Sequence, residues 1–242
     1  MTPLFKIFIA LTLFLSVNIE FSAQNRNVNN EKGNEITKTV KTEPYNIIQV
    51  SGPMDVYLAK GTEGNIEVTA QANVQDKIVV KSDGETLTIS MVNNVTLRNF
   101  KKIKITIPFE DISEISMRGS GVVESNDVLE GNALSLNLLG SGSINVKVES
   151  NAMDAKVHGS GDIQVSGRAK DIDVKTTGSG NFSGKELIAE NAQIYLSGSG
   201  DATVFAKSSL KARIQGSGTI YYLGNPSSND VKVIGSGKVK PL

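Results

Sequence analysis

Apolar and polar residues alternate along the second half of the chain, and the alternation restarts after every Gly-Ser-Gly triplet. Four residues before the triplets stand Ile115, Leu136, Ala155, Val174, Ile194, Ala212 and Val231, and two before stand Met117, Leu138, Val157, Thr176, Leu196, Ile214 and Val233. Between them lie Ser116, Asn137, Lys156, Lys175, Tyr195, Arg213 and Lys232. Two residues past the triplets the apolar position returns, at Val123, Ile144, Ile163, Phe182, Ala202, Ile220 and Val239. A period of two is that of a strand with one buried face. Each repeat therefore reads as two short strands around a glycine turn, closed by a second, looser turn such as Glu149-Ser150-Asn151 or Lys207-Ser208-Ser209.

The turn glycines are Gly119 and Gly121, Gly140 and Gly142, Gly159 and Gly161, Gly178 and Gly180, Gly198 and Gly200, Gly216 and Gly218, and Gly235 and Gly237. Successive triplets are 21, 19, 19, 20, 18 and 19 residues apart. One such unit cannot bury its apolar stripe alone, whereas stacked coils can, each strand pairing in parallel with its copies above and below. At about 4.8 Å per coil, the series makes a stack roughly 29 Å tall. Glycine suits these corners because it accepts positive φ and lets neighbouring turns approach closely. The short aliphatic anchor every six residues that a left-handed hexapeptide helix needs does not occur. The expected fold is all-β: a parallel β-helix, or solenoid, of about 19-residue coils over 119–242.

Residues 36–118 are strand-rich but less regular. Candidate strands are Asn46–Val50, Met54–Leu58, Asn65–Gln71, Lys77–Lys81, Thr86–Met91 and Lys101–Ile107, with turns at Gly52-Pro53, Lys60-Gly61 and Asp83-Gly84. This region is expected to cap one end of the stack against edge pairing. At the other end, Lys238-Val239-Lys240-Pro241-Leu242 carries lysines and a proline, which discourage strand addition. No segment reads as an outer-membrane barrel or sorting domain.

The first residues add an address. Lys6, an apolar run from Ile7 to Val17, and small residues Ser22 and Ala23 follow the order of a secretory signal peptide, expected over 1–23. A flexible, Asn-rich leader is expected over 24–35. No second apolar run of membrane length follows, so the mature chain is expected to be soluble and exported to the periplasm, the outer surface or the medium. There is no cysteine, which excludes a disulfide framework, a thiolate zinc site and a lipid anchor on an N-terminal cysteine. Lys plus Arg and Asp plus Glu both number 25, giving no electrostatic reason to seek nucleic acid.

The segment Ile48-Gln49-Val50-Ser51-Gly52-Pro53-Met54-Asp55-Val56-Tyr57-Leu58, followed by the glycine triplets, resembles the bacterial head GIN domain family of auto-transporter adhesins. The resemblance extends over about residues 43–242. It implies a right-handed β-helix and an exported or envelope location, and it brings no catalytic residues with it.

Candidate chemistry changes this picture little. His158, the one histidine, precedes a triplet where other repeats carry Arg118, Leu139, Thr177, Ser197, Gln215 and Ile234, so it reads as an outward position rather than a catalytic or metal-binding one. Seven equivalent serines, Ser120, Ser141, Ser160, Ser179, Ser199, Ser217 and Ser236, read as small turn residues bonding backbone groups. The triplets join strands, unlike phosphate loops, which need a helix behind them. Asp162 and Asp201, each directly after a triplet, raise a calcium reading that the 19-residue repeat does not favour. Asp162, Asp171, Asp173 and Asp201 lie on adjacent repeats, as a polysaccharide-acting enzyme would require. There is no tryptophan platform for sugars, though Tyr57, Tyr195, Tyr221 and Tyr222 are present.

The expected function is non-enzymatic: presentation of an extended β-surface to a glycan, an envelope protein or a host surface, with no cofactor and with homo-oligomer formation left open. The alternatives are a polysaccharide-acting enzyme and a structural or stress-responsive envelope component. A deep carboxylate-lined cleft favours the enzyme; a flat face of stacked Thr, Asn and Tyr favours binding.

Overall fold

The computed structural model describes residues 34–92 and 100–242, together with the backbone at 26–27 and 95–96. The expected signal peptide lies outside the described residues, as does most of the expected leader. Within the leader, Arg26–Asn27 (β1) pairs in parallel with Val95–Thr96 (β8). Of the described residues 76% lie in strands and 2% in helix, and they wind into a β-solenoid of about 7 turns with coils of ~19 residues.

The repeats form β10 (Glu114–Gly119), β11 (Val122–Gly140), β12 (Ser143–Gly159), β13 (Asp162–Gly178), β14 (Asn181–Gly198), β15 (Ala202–Gly216), β16 (Thr219–Leu223), β17 (Ser228–Gly235) and β18 (Lys238–Pro241). All of these pairings are parallel. Their register puts like on like: Leu136, Ala155, Val174, Ile194 and Ala212 form one buried column, and Ile144, Ile163, Phe182, Ala202 and Ile220 another.

The two short strands expected per repeat are in fact one, 15 to 19 residues long from β11 to β15. At Glu149-Ser150-Asn151 the ladder continues, with Ser150 opposite Ala169 and Ala152 opposite Asp171. The corner appears instead as a slip in alternation: Val146 and Val148 are buried, then Met153 and Ala155. Every coil bends at the same height, so adjacent backbones stay within hydrogen-bonding distance through the bend and no pairing need break. Differences in coil length are absorbed as register shifts, between Gln164 and Ser166 or Gly184 and Ile188, and the triplets remain stacked.

The head comprises β2 (Glu35–Lys41), β3 (Ile47–Ser51), β4 (Met54–Lys60), β5 (Asn65–Gln71), the four-residue α1 (Ala72–Gln75), β6 (Ile78–Ser82), β7 (Thr86–Met91) and β9 (Ile103–Phe109). The six strands expected here form within two residues of their expected ends. The ladder is continuous across 118/119. β3 pairs in parallel with β10, with Ile48 opposite Ile115 and Val50 opposite Met117, and β4 pairs with β11, with Val56 opposite Val123. Thus Ile47–Lys60 is itself a rung of the solenoid, and Gly52-Pro53-Met54 occupies the place of a triplet. β7 and β9 continue the two sides below it, and the antiparallel pairs β6–β7, β2–β5 and β5–β9 cover the remainder. A single apolar core runs from Tyr45 to Ile220.

Candidate binding face

Stacked glycine turns set the geometry of the outer surface. The first glycine of each triplet has φ between +115° and +139°. Its carbonyl accepts two bonds from the next coil: Gly140 O receives Ser160 N at 2.9 Å and Gly161 N at 3.0 Å, and Gly159 O receives Ser179 N and Gly180 N, both at 2.9 Å. It is thus the serine backbone N–H that bonds; the serine side chains face outward. The second glycine is buried in every triplet but the last, and at Gly142, Gly161, Gly180, Gly200 and Gly218 a Cβ would fall 1.9–2.5 Å from the carbonyl oxygen of the glycine one coil below. With no side chains between them, the turns stack directly and the flanking strands keep a constant rung spacing of about 4.8 Å.

Leaving the turns, the outward positions form two columns. One contains Glu124, Asn145, Gln164, Ser183 and Thr203 in successive rungs, flanked by Tyr57 below and Tyr221 above. Beside it runs Ser143, Asp162, Asn181, Asp201 and Thr219, tied rung to rung. The Asn181 N–H and side-chain amide donate to Asp162 Oδ1 (3.2 and 2.8 Å), Asp201 N donates to Asn181 Oδ1 (2.8 Å), and Thr219 N donates to Asp201 Oδ1 (2.7 Å). Two of the four aspartates singled out in the sequence, Asp162 and Asp201, therefore link coils on this face. Tyr57 is 38% exposed, and Lys240 lies 4.8 Å over the Tyr221 ring. At the head end, Asp55 is nearly buried and bonds Lys102 Nζ at 2.8 Å, which raises the Lys102 pKa above its usual value.

The strands entering the turns present a different face. Asp154 stacks on Asp173 and Lys156 on Lys175, so an acidic pair stands beside a basic pair. Asp173 accepts from Gln193 (2.9 Å) and lies 3.4 Å from Lys175; Asp171 accepts from Asn191 (2.7 Å). Asp171 and Asp173 border a shallow hollow of about 420 Å³, but Asp162 and Asp201 belong to the other face, so the four do not converge. Among the described residues no group of three or more His, Cys, Asp or Glu is placed to hold a metal ion. His158 stands in an outward column between Leu139 and Thr177, beside a hollow of about 450 Å³ shared with Arg118 and Asn137.

The fold recurs in known proteins. Residues 44–226 match the family described as "putative auto-transporter adhesin, head GIN domain". The chain belongs to the head GIN domain family. A "putative adhesin" from Bacteroides fragilis is 27% identical with a TM-score of 0.83, over 86% of this chain and 97% of that one. A "putative lipid binding protein" from Parabacteroides distasonis is 25% identical with a TM-score of 0.72, over 87% and 98%. A further "putative adhesin" from the latter organism, 24% identical over 87% and 98% with a TM-score of 0.67, shares the fold. No curated protein matches the chain. Among the described residues of this head GIN domain protein, no helix is long and apolar enough to cross a membrane.

The sequence reading missed the rung at Ile47–Lys60, although its signal was present. Ile48, Val50 and Val56 hold the same offsets from Gly52 that Ile115, Met117 and Val123 hold from Gly119. It also missed β2, whose residues are exposed except for the half-buried Val40, leaving no alternation to read.

Proposed function

We propose that this head GIN domain protein is an exported, non-enzymatic binding protein, and that the column Glu124–Asn145–Gln164–Ser183–Thr203, with Tyr57 and Tyr221 at its ends, is the face that meets a glycan. The observation that carries this reading is the composition of that face: above the carboxylate of Glu124, amide and hydroxyl groups occupy four successive rungs, and an aromatic ring stands at each end. Hydroxyl-rich polymers are recognised by such arrays of paired donors and acceptors with rings to stack on. The family's description and the adhesin neighbour support a role in attachment. Asp162, Asp171, Asp173 and Asp201 each bond a neighbouring coil and are split between two faces, which favours binding over hydrolysis.

The test is retention of purified protein on immobilised polysaccharides and matrix proteins, with reducing-end release measured in the same wells. Saturable retention without release, lost in Gln164→Arg and kept in Lys175→Gln on the other face, is the expected result. Release of reducing ends overturns the non-enzymatic reading, and equal loss in both variants overturns the choice of face.

A further inference from the structure

The last coil offers two free edges of unlike character. Among the described residues β17 pairs only with β15, and β18 only with β16. β18 is blunted: Lys238 and Lys240 line it, and Pro241 lacks the N–H a new strand would need. β17 is not. It continues the columns of Ala212 and Ile214, which are 0% and 2% exposed, yet its own Val231 and Val233 are 47% and 37% exposed, and Ile234 is 56% exposed. An apolar edge with unpaired backbone groups is a template for strand addition.

The charges on β17 select the added strand. Asp230 and Lys232 point outward on either side of the inward Val231. Arg213 holds Asp230 in place, donating from Nη1 to its carbonyl at 2.8 Å and from Nη2 to its carboxylate. In an antiparallel pair centred on Val231, Asp230 lies opposite Lys232 of the second strand and Lys232 opposite its Asp230. Centring on Asp230 or on Lys232 sets like charges against each other. Centring between two residues puts inward side chains against outward ones. Asp-Val-Lys is thus its own complement in one register alone, as a two-fold interface requires.

We propose that β17 is a self-association edge, by which two copies of this chain pair antiparallel about Val231 and join their apolar columns end to end. Two binding faces then project from one rigid dimer, which raises avidity for a repetitive surface.

Sedimentation equilibrium from micromolar to near-millimolar protein tests this. The wild type is expected to show a monomer–dimer equilibrium, weakened at least tenfold in Lys232→Asp, where acidic residues face each other, and in Asp230→Lys, where lysines do. An equimolar mixture of the two variants is expected to dimerise, since each then supplies the charge the other lacks. Because the chain has no cysteine, Val231→Cys provides an independent arm that does not disturb the charges. Oxidation is expected to cross-link Val231→Cys, whose paired thiols meet at the two-fold axis, but not Asn145→Cys. A wild type that stays monomeric, charge variants that dimerise as the wild type does, or a Val231→Cys protein that fails to cross-link would each overturn the proposal.

Discussion

The first rung and the inner coils make the same turn from different residues. At Gly52-Pro53-Met54 and at Gly159-Ser160-Gly161 the opening glycine has positive φ, +133° and +120°. The closing position is a fully buried methionine in the first rung and a glycine in the inner coil. A Cβ on Gly161 would lie 2.4 Å from Gly142 O. Below Met54 runs β9, with Ile103 opposite it, and no glycine turn lies there. The first glycine is therefore demanded by the turn itself, and the second only by the turn stacked beneath it.

The largest expected effect tests that division. In Gly180→Ala the new Cβ falls 2.2 Å from Gly161 O, a backbone atom that cannot yield without parting two coils. A loss exceeding about 4 kcal/mol is expected from urea unfolding, the range of severe packing defects. Gly84→Ala is the control, since φ is +87° but nothing lies within 4 Å of its Cβ. Conformational strain alone is expected there, about 1–2 kcal/mol. Gly52→Ala should fall between them, because its Cβ would meet only the flexible ends of Met54 and Met91, at 3.2 and 3.3 Å. If Gly180→Ala cost no more than Gly84→Ala, stacking would not be what fixes the second glycine.

A smaller effect separates head from stack by pH. Tyr45 is buried in the head and donates to Pro108 O, and burial, with Glu63 nearby, pushes its phenol well above the ordinary value. The fold thus holds the neutral form. That contribution is present in full below the ordinary tyrosine value of about 10, and is lost as pH rises from there toward the folded-state value. Urea midpoints at pH 8 and pH 11 should therefore fall more in the wild type than in Tyr45→Phe. At pH 8 the variant itself should be less stable by about 1 kcal/mol, the worth of the lost hydrogen bond.

The inner coils were legible because one rule, the period of two around a glycine triplet, recurs seven times and averages out local exceptions such as Thr176. The head breaks that rule wherever a neighbour differs: Met54 replaces a glycine, and β2 lies exposed on β5. Its strands could be read one at a time, but their place in the stack could not. The face proposed to bind was legible only in kind. Tyr57 and Tyr221 lie far apart in sequence and share a column solely because β4 joins β11 and β15 joins β16, pairings that alternation does not specify.

Thr176 itself supplies the finest test of how strictly the inner coils follow the rule. It stands between Val157 and Leu196 in an apolar column, is 1% exposed, and its hydroxyl has no hydrogen-bond partner. The first rung carries Val50 in this column. An unsatisfied buried hydroxyl costs free energy that an apolar group of the same shape does not. Thr176→Val should therefore raise stability, by about 0.5–1 kcal/mol, read as a higher urea midpoint with an unchanged slope. Ser160→Ala, on the outward corner, should change stability by less than about 0.5 kcal/mol. A Thr176→Val protein less stable than the wild type would mean that the hydroxyl is bonded within the stack, and that the interior of the inner coils is less uniformly apolar than the column suggests.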